Sequence, residues 1–219
     1  MADTRGEVRF RRLKTPRSAA VAGIVFAVLF ASGVVLLHSA LSDTASTDTP
    51  WVRDESRFAA ALILAPFAGI AFLWFIGVMR DHFGELEDRF FSTVFLGSGL
   101  LFLATTFVSM AVAGGVLAVS RQPSASDDAI FFFGREVMVQ LDNVYGARMA
   151  GVFMMVLGTI WLRTGLMPRW LVIFTYVLAL ALLLAISRVW AVALVFPAWV
   201  LMTSVYILLT NRLESHHPS

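Results

Sequence analysis

Residues 145–170 read YGARMAGVFMMVLGTIWLRTGLMPRW, the length of one membrane crossing followed by a sharp turn. Gly165 ends the helix, Pro168 forbids its continuation, and Arg163 and Arg169 flank the break. Fourteen uncharged residues separate Arg163 from another arginine, Arg148, which lies inside the span. At about 1.5 Å per residue the two stand about 22 Å apart along the axis. The hydrocarbon core is about 30 Å thick, so with Arg163 at the inner boundary Arg148 lies roughly 8 Å below the outer one. An arginine at that depth marks either a polar site or a long stem that snorkels up to the headgroups. The sequence leaves both readings open.

The whole chain has the same character. It has 219 residues, is 58% hydrophobic and has a mean hydropathy of +0.79. Soluble domains are about 45–50% apolar. Charges cluster between long uncharged runs, the layout expected where lipid replaces water as solvent. There is no cysteine, which excludes disulfides, thiol catalysis and cysteine metal sites. Lys14 is the only lysine against sixteen arginines. With abundant Gly, Ala and Val, this points to a GC-rich bacterial genome.

Six spans are expected, at about 19–41, 58–79, 91–119, 143–162, 170–186 and 189–210. A basic arm over 1–18 precedes them and a polar tail over 211–219 follows. The N-terminus lacks the pattern of a cleavable signal, since the first span is full length. Arg5, Arg9, Arg11, Arg12, Lys14 and Arg17 place the arm in the cytoplasm beside anionic lipid. Nucleic-acid binding is not expected, because an anchor follows at once and aromatic residues are not interleaved. With six spans both termini are cytoplasmic. Arg80, Arg89, Arg163, Arg169 and Arg212 then join the arm inside, and Arg53, Arg57, Arg121, Arg135 and Arg188 lie outside. The balance follows the positive-inside rule.

Small-residue stripes predict close helix packing. They are Ala19, Gly23, Ala27 and Ala31 in span one, Ala61, Ala65 and Gly69 in span two, and Gly146/Ala150 with Ala147/Gly151 in span four. Span three holds Gly97, Ser98, Gly99, Thr105, Thr106, Ser109, Gly114 and Gly115, and is expected to be the central, most buried helix. After an acidic first outer loop, the second outer loop ends in AIFFFGREVMVQLDN. There Ile130, Phe133, Val137 and Leu141 alternate with Arg135, Glu136, Gln140 and Asp142. This is an amphipathic helix at the outer interface, or a direct extension of span four. Either way it brings Glu136 and Asp142 near Arg148 as counter-charges. A tight outer hairpin is expected at Ser187–Arg188.

Pro66 and Pro197 each lie nine residues after an arginine, Arg57 and Arg188, in spans of the same direction. Two kinked helices at matching depth would frame a cavity near the midplane. Coincidence is the alternative. His38 near the outer end of span one reads as an interface residue with ligand potential. His82, Glu85, Glu87 and Asp88 lack metal-ligand spacing and read as a solvated cytoplasmic turn. Gly97-Ser98-Gly99 has no histidine partner, and haem would need histidine from two spans. No catalytic group, metal or cofactor is therefore assigned.

The turn Arg163-Thr164-Gly165-Leu166-Met167-Pro168-Arg169-Trp170-Leu171 resembles that of a bacterial multi-pass membrane protein family described only as a domain of unknown function. Its members carry Arg-Ser/Thr-Gly-x-x-Pro-Arg-Trp-Leu after a span. The likeness covers about a quarter of the chain, more loosely in spans one and two, and implies topology without chemistry.

The expected protein is thus an all-α polytopic bundle in a bacterial plasma (inner) membrane. Its expected role is non-enzymatic: binding, sensing, or accessory work in assembly. The alternative is a small-solute permease or channel. Arg148, Asp142, Glu136 and His38 are the candidate ligand residues, and Pro66 and Pro197 the candidate kinks. The bilayer is the expected partner; a second copy or another membrane protein is left open.

Overall fold

The computed structural model describes residues 4–41, 52–83, 89–121, 128–184 and 190–214. They form an all-α bundle. Its helices are α1 (Thr4–Ala40), α2 (Glu55–Phe83), α3 (Arg89–Ser120), α4 (Asp128–Gln140), α5 (Ala147–Thr164), α6 (Arg169–Leu184) and α7 (Val195–Glu214). A π-helical segment, Leu141–Gly146, joins α4 to α5, and a 3-10 turn, Trp190–Leu194, leads into α7. Five segments are long and apolar enough to cross a membrane, and α6 is a shorter apolar helix. Many large apolar side chains face outward, among them Trp74 at 73% and Phe133 at 71% exposed. A water-soluble monomer does not tolerate such a surface. The chain is a multi-pass membrane protein.

Local chemistry sets the helix ends. Asp54 caps α2: its Oδ1 accepts the Arg57 backbone N–H at 3.1 Å and the Ser56 hydroxyl at 2.6 Å. The Ser56 bond and then the Arg57 bond hold this carboxyl below its ordinary value. The Arg53 N–H meets the Ala40 carbonyl at 2.8 Å, tying the start of α2 to the end of α1. Gly165 ends α5 in the left-handed region, with φ 66°, and its N–H bonds to Trp161 O. Pro168 O then accepts the N–H groups of Leu171 and Val172 as α6 begins. The Gly–Pro turn is therefore read correctly from sequence.

The core is largely aromatic. Phe26, Phe72, Phe102, Phe153 and Phe196, from α1, α2, α3, α5 and α7, interlock with centroid separations from 4.6 Å for Phe26–Phe72 to 6.5 Å for Phe26–Phe102. Towards the end that holds the α5–α6 turn, Trp199 packs at a tilt against Trp161 and donates its indole N–H to Thr175 Oγ1 at 2.9 Å. Thr159 and Tyr176 share a 2.7 Å hydrogen bond between α5 and α6. The small-residue stripes do pack. Gly151 lies so near α6 that a Cβ there would come within 3.0 Å of Ala179 O.

Three sequence expectations need correction or refinement. The most buried segment is not α3. In their most apolar windows 39% of α3 is buried, against 61% of the continuous Ala129–Thr164 segment. Ser98, Thr106 and Ser109 do lie on the buried face of α3, but Leu100, Leu101, Phe107 and Val108 turn outward, so α3 is covered on one side only. Gly97 and Gly115 face open space. Next, the second-loop helix is not set apart, because α4 runs through the π segment directly into α5. Its buried residues are Phe131, Gly134 and Met138, while Ile130 and Phe133 face outward. Last, Pro197 stands third in α7, in the first turn after the 3-10 segment, where proline removes no intrahelical bond. It starts a helix and does not bend one. The Ser187–Arg188 hairpin and the His82–Asp88 turn side chains lie outside the described residues.

Candidate functional site

One cavity of about 300 Å³ lies at the end of the bundle where α1 finishes and α7 starts. Its floor is the aromatic core, through Phe30, Phe102 and Phe196. Its polar wall comes from the α4–α5 rod. Arg135, Asp142 and Asn143 face it from there, opposite Thr106 of α3 and His38 of α1. His38 stacks on Trp190 at 4.3 Å and 18°, which closes the wall between α1 and the 3-10 turn.

The π segment is what aims this wall. Met138, Asp142, Gly146 and Ala150 all line the cavity at four-residue steps. In an α-helix such steps drift around the axis by about 40° each, since a turn takes 3.6 residues. A π turn is wider, with bonds five residues apart; here the Ala147 N–H reaches Asp142 O. The wider turn cancels the drift and keeps the four positions on one face. Gly146 also permits close approach of α3: a Cβ there would sit 3.4 Å from Thr105 Oγ1.

Ser109 of α3 donates to Asp142 Oδ2 at 2.8 Å. Among the described residues Asp142 has no cationic partner, and Arg135 forms no ion pair. Asn143 is 9% exposed and lines the cavity beside them. Charged groups held away from water without partners cost free energy, most of all in a membrane. Here a carboxylate, a guanidinium and an amide share one cavity. That arrangement can bind a polar group presented to it, and it carries no nucleophile–base pair.

Of the four ligand residues expected from sequence, Asp142 and His38 line the cavity, whereas Arg148 and Glu136 do not. The expected pairing of Arg148 with Asp142 is corrected. The Arg148 Nη1 donates to Val144 O at 2.8 Å, one turn back, and among the described residues Asp142 is not its ion-pair partner. Because the π segment keeps positions four apart on one face, Asp142, six residues before Arg148, faces away from it. Pro66 lies within α2 and borders a separate apolar groove between α2 and α3. Neither proline lines the cavity.

Sequence reasoning missed Asn143, Trp190 and the inward orientation of Arg135. Arg135 and Asp142 are seven residues apart, a spacing that puts both on one helical face, and this signal was legible. The Ser109–Asp142 bond joins residues 33 apart and left no local trace. Among the described residues, no three metal-ligating side chains converge. No family model matches the chain, and no curated protein or solved structure matches it either.

Proposed function

We propose that this protein is a membrane-embedded binding component that takes a small amphiphilic molecule into the cavity at the π segment. The observation that carries this reading is the cavity itself, where the side chains of Asp142 and Arg135, not paired with each other, face one space beside Asn143. Most of the remaining wall is apolar or aromatic, as small-molecule sites are. Binding of this kind suits a sensor or an accessory factor. The permease alternative has less support. The interlocked phenylalanines stand between the cavity and the opposite end of the bundle, so a solute path would require them to part.

The setting belongs to the same proposal. The basic arm and the arginines at the α5–α6 turn support cytoplasmic termini. Arginine-rich composition supports a bacterial plasma membrane, with anionic lipid around the arm. Kinship with the uncharacterised family is proposed on the residue 163–171 turn, with a looser likeness in spans one and two.

The test is native mass spectrometry of the full chain extracted in mild detergent. Co-purified small molecules are expected on the wild type. They should be lost from Ala147→Phe and Ala193→Phe, which fill the cavity from two walls. Equal occupancy in folded wild type and both variants would overturn the reading.

A further inference from the structure

We infer that the cavity receives the head of a single-chain zwitterionic lipid, whose tail leaves past Met110 and lies in the α2–α3 groove beside Pro66. This rests on the binding reading of the same cavity and adds the ligand class and its path.

The charges define the head. Arg135 and Asp142 project into one space from one helical face, and among the described residues they are not paired with each other. Their complement is a single molecule with an ammonium for the carboxylate and an anionic group for the guanidinium. Asn143 is left to bond a neutral hydroxyl or ester between them.

Depth agrees. Arg163 and Trp170 mark one membrane boundary, and Arg163 lies 4.4 Å over the Phe91 ring at that end. Counting back along the rod at about 1.5 Å per residue puts Asp142 about 30 Å and Arg135 about 40 Å away. The hydrocarbon core is about 30 Å thick and the headgroup layers bring the bilayer to about 40–45 Å. Asp142 is therefore at the edge of the acyl region, and Arg135 is among the headgroups.

The groove defines the tail. It has a volume of about 420 Å³ and is bordered by Leu62, Ala65 and Pro66 of α2 and by Phe107, Ala111 and Gly114 of α3. All of these are apolar. Leu62 to Pro66 lie about 10–17 Å in from Glu55, the first residue of α2, which is acyl-chain depth. Met110 borders both the groove and the cavity. Its unbranched, flexible side chain is suited to swing aside. A polar compartment at headgroup level thus adjoins an apolar trough at tail level, with one movable side chain between them.

Native mass spectrometry of the full chain in a non-ionic maltoside tests this. The probes are lysophosphatidylethanolamines of increasing chain length, with tail-less phosphoethanolamine, an alkylamine and a lysophosphatidic acid as comparisons. Wild type is expected to bind the long zwitterion roughly tenfold more tightly than either single-charge amphiphile, the worth of one charge-assisted bond. Arg135→Gln should erase its advantage over the alkylamine, and Asp142→Asn its advantage over the lysophosphatidic acid. Affinity should rise with chain length in wild type. Ala111→Trp and, independently, Gly114→Val should remove that rise and leave short-chain binding unchanged. Affinity flat with chain length, or a rise that survives in both folded groove variants, overturns the tail path and leaves the cavity reading standing. Phosphoethanolamine binding as tightly as the lipid overturns the lipid source. If no amphiphile binds and the cavity-filling variants match wild type, both the inference and the function fall together.

Discussion

Asp142→Leu separates a carboxylate kept for binding from one kept for structure. Asp142 is tied to the bundle by one side-chain bond, from Ser109 at 2.8 Å. Inter-helix hydrogen bonds in membranes contribute about 0.6 kcal/mol on average and up to about 1.7. Against that stands the cost of holding the remaining carboxylate oxygen away from water without a partner, about 1–3 kcal/mol. Leucine has as many side-chain heavy atoms as aspartate, with two methyls in place of the two oxygens, and the adjoining cavity of about 300 Å³ accepts their greater bulk without overpacking. The balance favours the variant by about 1 kcal/mol. Reversible unfolding in mixed micelles, followed by tryptophan fluorescence, is expected to show Asp142→Leu equal to or more stable than wild type. Its amphiphile binding should fall at the same time. Ser109→Ala should cost about 1 kcal/mol in wild type and nearly nothing in the Asp142→Leu background, because the bond is already gone. A loss of more than about 2 kcal/mol in Asp142→Leu would refute the reasoning and make this carboxylate a structural tie.

Four further outcomes follow from local geometry. Gly165→Ala forces a side chain into φ 66° and should lower stability by about 1–2 kcal/mol, read by thermal unfolding in detergent. Gly97 faces open space, so Gly97→Ala should raise stability by about 0.5–1 kcal/mol through helix propensity, whereas Gly151→Val should drive α5 from α6 and destabilise strongly. The Asp54 cap is held in its charged form, so it stabilises above the ordinary carboxyl value, about 3.9, and its contribution fades as pH falls through the lowered one. The stability gap between wild type and Asp54→Ala should therefore be full at neutral pH and narrow below about pH 4. A gap that widens in acid would contradict the assignment.

The fold was largely legible because each crossing is a long uncharged run bounded by charges or breakers. Gly165 and Pro168 signalled their turn through backbone preferences that act within a few residues. The site was only half legible. Asp142 and His38 were named, but Asp142 was assigned to Arg148 on nearness in sequence. Helical phase sends those two to different faces, and Ser109 reaches Asp142 from another helix. The π segment had no compositional mark either, since LDNVYG contains nothing that forbids an ordinary α turn. The misjudged rank of α3 has another root: its hydroxyls do sit on the buried face, but composition does not show that Leu100, Leu101, Phe107 and Val108 turn outward.

The π turn also gives this region a defined tolerance to a change in length. Deleting one residue within Leu141–Gly146 would let the ladder close as an α-helix. Eleven α-helical steps of about 100° from Met138 to Ala150 would then make about three turns, nearly as the twelve steps do across the π segment, so the flanking helices would keep their phase. Arg135 would still face the cavity, and Gly151 and Gly158 would keep their seats on α6. Homologues that differ in length between Arg135 and Ala150 should therefore do so by one residue inside Leu141–Gly146.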